Sequence, residues 1–190
     1  MCSSDLVLSL SALVPVWDEW ASSTMTAKRL PCLLYTSLAA LRTARHHGAK
    51  TILKPAACDV LPDEILQRVD ILVPNLPELN TIVPGPGTIE ERAARLAERC
   101  GGTVIVTLGA DGCYLHSPGL RRHFPAADFD AVDTTGASDA FISALAARLM
   151  SGDDLPRAIE LANYAAGYST THQGVAQALI DRLGLECANA

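Results

Sequence analysis

An α/β fold is what this sequence predicts, and three observations predict it. Short β-branched or apolar runs alternate with longer segments of helical period. Glycine, proline or a polar cap closes most of these segments. The two longest patterned stretches lie together near the C-terminus, at Gly136–Met150 and Leu155–Thr170, and read as helices. In chain order, Leu38–His47 is a helix that Gly48 ends, with Arg42, Arg45 and two histidines near its C-terminal turn. Thr51–Leu53 is a short buried strand closed by Pro55. Pro62–Val69 is a helix with Asp63 and Glu64 in its first turn, and Asp70–Val73 is the next strand. Asn75 and Glu78, three apart, share one side of the first turn of the helix that follows. Thr88-Ile89-Glu90-Glu91 is a capping box that opens a helix to about Cys100, where Gly101-Gly102 stop it. Thr103–Leu108 is a β-branched core strand. Cys113–His116 and Arg122–Phe124 pair as a hairpin around Ser117-Pro118-Gly119. Ser151-Gly152-Asp153-Asp154 separates the two long helices.

Composition bounds the function. A chain of 190 residues, 49% hydrophobic, is long enough to bury a proper core. Its formal charge of -6 argues against a nucleic-acid or membrane-surface partner. The apolar run Leu6–Trp17 is broken by Ser and Pro, is too short to span a bilayer, and has no Lys or Arg before it. Six cysteines (Cys2, Cys32, Cys58, Cys100, Cys113, Cys187) show no paired metal spacing, so free thiols in a reducing cytoplasm are expected.

The stretch Asp133-Thr134-Thr135-Gly136-Ala137-Ser138-Asp139 carries the most chemistry. It sets small residues where the helix Ala140–Met150 begins. Backbone N–H groups there have no intrahelical partner and sit at the positive end of the helix dipole, which suits a phosphate. A carboxylate at Asp139 would be repelled by that phosphate unless it had a task. Accepting the proton of an attacking hydroxyl is such a task. The bland alternative is an ordinary helix start, with Asp133 or Thr134 as cap.

Four blocks together go further. Asp133–Asp139 resembles the Asp-Thr-x-Gly-Ala-Gly-Asp signature of the ribokinase-like, or phosphofructokinase B, carbohydrate kinases. Lys54-Pro55-Ala56-Ala57, followed by Leu61-Pro62-Asp63-Glu64, resembles that family's Asn-Pro-Ala segment and the helix after it, with lysine in place of asparagine. Pro74-Asn75-Leu76-Pro77-Glu78 is similar to its Asn-x-x-Glu motif, and Thr107-Leu108-Gly109-Ala110-Asp111-Gly112 to its nucleotide loop. The blocks keep the family's order from about Leu38 to Leu183, the C-terminal half of such a kinase. The resemblance implies a Rossmann-type three-layer α/β sandwich in which the lid and the N-terminal strands are missing. It points towards the ribokinase branch, through the Pro-Ala-Ala and Leu-Pro-Asp-Glu segments.

The resemblance also implies roles, all expected to converge beyond the carboxyl ends of the strands. Asp139 is the catalytic base, and Gly136, Ala137 and Ser138 form the anion hole. Ser138 stands where the family prefers glycine, which brings a Cβ close to the transferring phosphate. ATP is held by Asn75 at its phosphates, by Thr107, Leu108, Gly109, Ala110, Asp111 and Gly112, by Ser138 and Asp139, and by Asn163 near the adenine. Glu78 holds Mg2+, largely through water. Asp133 and Thr135, with backbone carbonyls near Ser169, His172 and Gly174, ring a monovalent cation such as K+. Ala178 falls where the ribokinase branch has a serine ligand, and His172 where it has arginine, so dependence on that cation is left open.

The expected reaction is transfer of the γ-phosphoryl group of ATP to a primary hydroxyl of a small sugar in the cytoplasm. No nucleic acid or membrane takes part, and the parent enzyme is a homodimer through the missing lid. A nucleoside kinase of the same family and a non-catalytic nucleotide-binding fragment are the alternatives. Residues 38–190 form the ATP-binding and catalytic part. Residues 1–37 read differently: Cys32-Leu33-Leu34-Tyr35-Thr36-Ser37 and Cys2-Ser3-Ser4-Asp5-Leu6 each resemble a translated reading frame of a common sequencing adapter. Met1–Ser37 is therefore expected to be non-native in whole or in part.

Overall fold

The structure, a computed structural model, describes residues 26–55 and 61–175, the first ten of these by backbone alone. The apolar run Leu6–Trp17, the N-terminal adapter-like segment, Ala56, Ala57, Ala178 and Cys2, Cys58 and Cys187 lie outside the described residues. Five strands follow one another in the order β1-β2-β3-β4-β5, namely Ile52–Leu53, Ile71–Leu72, Thr103–Thr107, Cys113–Ser117 and Leu120–Phe124. The first three are parallel, with Ile52 opposite Ile71 and Ile71 opposite Thr103. Two compact units divide the described chain. One contains everything up to Val106 together with His116–Leu120, and the other contains Thr107–Leu115 and the chain from Arg121.

In the first unit, helices α1 (Thr26–His46), α2 (Asp63–Leu66), α3 (Leu76–Ile82) and α4 (Ile89–Cys100) accompany β1, β2 and most of β3. Helix α1 begins well before the expected Leu38 and runs through Ser37 without a break. Its C-terminus is tied down by Arg42, paired with Glu64 at 2.6 Å, and by Arg45, which donates to the Gln67 carbonyl at 2.7 Å. Helix α2 is shorter than expected because the chain turns at Gln67–Val69 to enter β2. Thr51 and Asp70 fix the start of the β1–β2 pair. The Asp70 carboxylate accepts from the Thr51 N–H at 2.7 Å and from its hydroxyl at 2.9 Å.

Helix α4 follows its sequence signals closely. Thr88 and Glu91 form the reciprocal capping box, and Gly101 closes the helix in the left-handed region at φ 65°. Gly102 serves a different purpose, since a Cβ there would lie 2.8 Å from the Asp70 carbonyl oxygen. Leu53, Leu66, Leu72, Leu79, Leu96 and Ile105 are almost wholly buried and form the apolar centre of this unit. Burying one such side chain contributes about 1.5–3 kcal/mol relative to leaving it in water.

In the second unit, helices α5 (Ala137–Met150) and α6 (Leu155–Ser169) pack on each other, and Phe141, Leu145, Ile159 and Ala162 on them are buried. Both match their expected bounds to within one residue. Asp154 caps α6 by accepting from the Arg157 N–H at 2.9 Å, with Pro156 in the first turn. Cys100 and Cys113 are free and buried, as expected of the described cysteines. Burial pushes the Cys113 thiol up to about 12, so it is an inert core group.

Candidate active site

The second unit contains a cavity of about 430 Å³, a size that suits a small organic ligand. Strand β3 ends at Thr107, and a tight 3₁₀ turn over Gly109–Asp111 leads to Gly112. The Leu108 N–H donates to the Gly112 carbonyl at 2.8 Å, which closes the turn on itself. Thr107, Gly109, Ala110 and Gly112 line one side of the cavity. Ala137 and Ser138, at the start of α5, and Asn163, on α6, line it elsewhere. Thus six of the residues assigned to ATP from sequence (Thr107, Gly109, Ala110, Gly112, Ser138 and Asn163) share one enclosure. Leu108 and Asp111 belong to the same turn without lining it.

The start of α5 bears directly on anion binding. Gly136 is its N-cap, left-handed at φ 83°, and no side chain caps the helix. Neither Asp133 nor Thr134 is the cap: Asp133 instead accepts from the Thr135 N–H at 2.9 Å and from the Gly174 N–H at 3.0 Å. The bond to Gly174 is the larger cause that holds the Asp133 carboxyl below its usual range, and Thr135 adds to it. Not every amide of the turn is available, in contrast to the expectation. The Ala137 N–H reaches the Thr134 carbonyl at 3.3 Å, and the Asp139 N–H reaches the Gly136 carbonyl at 3.0 Å. Gly136 and Ser138 keep amides without a hydrogen bond among the described residues. Two donors, at the positive end of a fourteen-residue helix, remain for a phosphate. A Cβ at Gly136 would press on the Val175 side chain at 3.2 Å, and the positive φ disfavours it as well. Asp139 is exposed in the first turn of this helix.

The cation ring expected from sequence is partly assembled. Asp133, Thr135 and Gly174 meet through the two hydrogen bonds above. The Ser169 hydroxyl turns away and donates to the Ala166 carbonyl at 2.7 Å. His172 Nδ1 lies 2.8 Å from the Thr171 hydroxyl, and its ring sits against the Tyr168 ring. No cluster of three or more His, Cys, Asp or Glu side chains that could hold a metal occurs among the described residues.

Asn75 and Glu78 belong to the first unit. Asn75 is the N-cap of α3 rather than part of its first turn. Its Oδ1 accepts from the Glu78 N–H at 2.8 Å, while Glu78 Oε2 accepts from the Asn75 N–H at 2.8 Å. Glu78 has a further partner that the sequence reading did not assign: Lys54 Nζ lies 3.0 Å from its Oε1.

Sequence reasoning also missed much of the cavity wall. Ala126, Ala127, Phe129 and Ala131 come from a coil with no periodicity to mark them. Ala166, Gly167 and Thr170, however, continue the face of Asn163 at helical spacing, and that row of small residues was a readable signal. Gly167 is needed for Phe129, because a Cβ at Gly167 would sit 2.6 Å from the Phe129 ring. The ring is held edge-on by Tyr164 and Tyr168, at centroid distances of 5.2 and 6.2 Å. Asn163 is buried and donates to the Pro125 carbonyl at 3.1 Å, so it braces the same coil.

Comparison with known proteins places this geometry in a family. Residues 24–182 match the pfkB family carbohydrate kinases. A ribokinase of Staphylococcus aureus is 35% identical over 185 residues, which cover 95% of this chain and 60% of that protein. The bifunctional protein HldE of Azotobacter vinelandii is 36% identical over 150 residues, 76% of this chain and 31% of that one. Among solved structures, the ribokinase of Thermotoga maritima aligns with a TM-score of 0.72 at 31% identity, covering 78% of this chain and 51% of its own. Arabidopsis thaliana ribokinase, solved with ribose and ATP, aligns with a TM-score of 0.74 at 26% identity, covering 81% and 52%. The chain belongs to the pfkB family of carbohydrate kinases, and its fold is the ribokinase-like α/β fold. It spans 60% of the Staphylococcus aureus protein and about half of the two solved chains.

Proposed function

We propose that this chain is the ATP-binding and catalytic part of a kinase that transfers the γ-phosphoryl group of ATP to a primary hydroxyl of a small sugar. The observation that carries the reading is the start of α5. A helix start with two amides, at Gly136 and Ser138, that have no hydrogen bond among the described residues opens on a cavity lined by Thr107, Gly109, Ala110 and Gly112. Nucleotide would occupy that cavity with its phosphates at these amides. As the sugar hydroxyl attacks, Asp139 takes its proton, and the two amides stabilise charge that develops on the phosphoryl oxygens. The Ser138 hydroxyl would add a third donor.

Other parts of the reading rest on resemblance. Asn75, whose Oδ1 is committed to capping, would offer its Nδ2 to the phosphates. Mg2+ would enter with ATP. Asp133, Thr135 and the carbonyls of Ser169, His172 and Gly174 would hold a monovalent cation, to which the paired orientation of Asp133 and Gly174 lends support. Ribose is the substrate favoured by the relatives, and a nucleoside is the alternative. No described helix is long and apolar enough to cross a membrane. A cytoplasmic homodimer is the form that the family resemblance implies. The adapter-like segments Cys2–Leu6 and Cys32–Ser37 support a non-native origin for residues 1–37, whereas α1 and the family match both run through Ser37. Resequencing from an independent library separates native from non-native residues there.

The 190 residues alone are expected to bind magnesium–ATP weakly and to phosphorylate no sugar. The residues that would fix the sugar in line belong, on this reading, to the part of the relatives that this chain does not cover. Lost positioning can forfeit about 7–11 kcal/mol of barrier reduction. ADP release from purified protein, with ATP and a panel of pentoses, hexoses and nucleosides, checks this. Sugar-dependent turnover at ordinary kinase rates would refute it.

A further inference from the structure

Lys54 follows β1 directly, and its side chain is only 10% exposed. A lysine this deep keeps its charge at low cost only with an anionic partner in reach. The partner is Glu78, 24 residues away, at 3.0 Å and itself only 16% exposed. The carboxylate is thereby used on both oxygens. Oε1 takes the ammonium, and Oε2 takes the Asn75 N–H that completes the α3 capping box. All three residues lie in the first unit, on the ends of β1, β2 and α3.

This arrangement does not fit a magnesium ligand. A divalent ion approaching Glu78, directly or through its own waters, would meet an ammonium already at hydrogen-bonding distance. The pair is neutral overall, so little attraction is left to draw the ion in. Mg2+ also demands near-octahedral oxygen ligands and gives up its water reluctantly, which a carboxylate pinned from two sides does not reward. Lysine stands where the resemblance expects asparagine, so the internal cation is a departure of this chain.

We propose that Lys54 takes the place of a divalent cation at Glu78. The Lys54–Glu78 pair is a metal-free clamp that fixes the entry to α3, and Glu78 is not a metal ligand in this protein. The neutral substitution Lys54→Met would then uncover a cation site, and Lys54→Asn would do so with a polar side chain.

Manganese serves as the probe, with free ion read by electron paramagnetic resonance and no nucleotide present. Glu78→Gln is expected to leave manganese affinity within about twofold of the unsubstituted chain. Lys54→Met is expected to tighten it by about tenfold or more, as removal of a cation beside a carboxylate should. The double variant should lose that gain. A clear drop with Glu78→Gln alone, or no gain in either folded Lys54 variant, overturns the proposal. Should the Lys54 variants fail to fold, the unsubstituted chain decides. The carboxylate carbon resonance of Glu78 should stay as sharp as its manganese-free control at sub-stoichiometric manganese, and selective broadening there would refute the clamp. None of these readouts involves phosphoryl transfer, so they stand or fall separately from the kinase assignment.

Discussion

Asp139→Asn, made in a form of the enzyme that spans the full length of its relatives, is expected to lower turnover by about 10²–10⁴, the range typical of losing a general base. Asparagine is nearly isosteric and keeps the N–H that bonds to the Gly136 carbonyl. The helix start should therefore survive, and the amides of Gly136 and Ser138 should keep their direction. ATP affinity should hold or rise slightly, because a negative charge next to the phosphate site is gone. The signature is thus a fall in kcat with little change in KM for ATP. Steady-state kinetics at saturating sugar gives both values. Turnover within a few-fold of the unsubstituted enzyme would remove Asp139 from the catalytic role.

Gly112→Ala is expected to be the most damaging single methyl group in the described chain. A Cβ there would lie 2.1 Å from the Phe124 carbonyl oxygen, 2.5 Å from the Ala126 nitrogen and 2.6 Å from the Pro125 carbonyl carbon. These are backbone atoms, so no rotamer change relieves the clash. The residue also sits at φ 83°, ψ -125°, a region that a side chain enters only with strain. The two effects together should cost about 3 kcal/mol or more, at the severe end for a point substitution. Relief of the clash would displace the 124–126 backbone, and with it the cavity wall at Ala126 and Ala127. Urea denaturation of the unsubstituted and substituted chains measures the loss. A change below about 1 kcal/mol would show that the turn has far more freedom than its geometry implies.

What could be read in the sequence was local. The Thr88–Glu91 capping box, the Gly101 stop and the bounds of α5 and α6 depend on residues within a few positions of one another, and all were legible. The nucleotide-loop residues that line the cavity were legible for another reason, since their order matches a family pattern. The Lys54–Glu78 pair was not legible, because nothing periodic links residues 24 apart on different elements. The same holds for the coil wall at Ala126–Ala131. The pairing of amides at the α5 start was misjudged for a geometric reason. Once Gly136 turns left-handed, the Asp139 N–H falls onto its carbonyl, and only alternate amides stay open. Helix α1 begins earlier than expected, because the residues up to Ser37 were set aside as adapter-like and so were not read for helical period.

The central claim is that nucleotide phosphates bind at the start of α5, beside the Thr107–Gly112 turn. Titration of the isotopically labelled 190-residue chain with magnesium–ATP, followed residue by residue through its amide resonances, tests this most directly. The Gly136 and Ser138 amides should move furthest, with Thr107, Gly109 and Gly112, along one common saturation curve that inorganic phosphate only partly reproduces. Binding that leaves Gly136 and Ser138 unmoved while other segments shift would contradict the account.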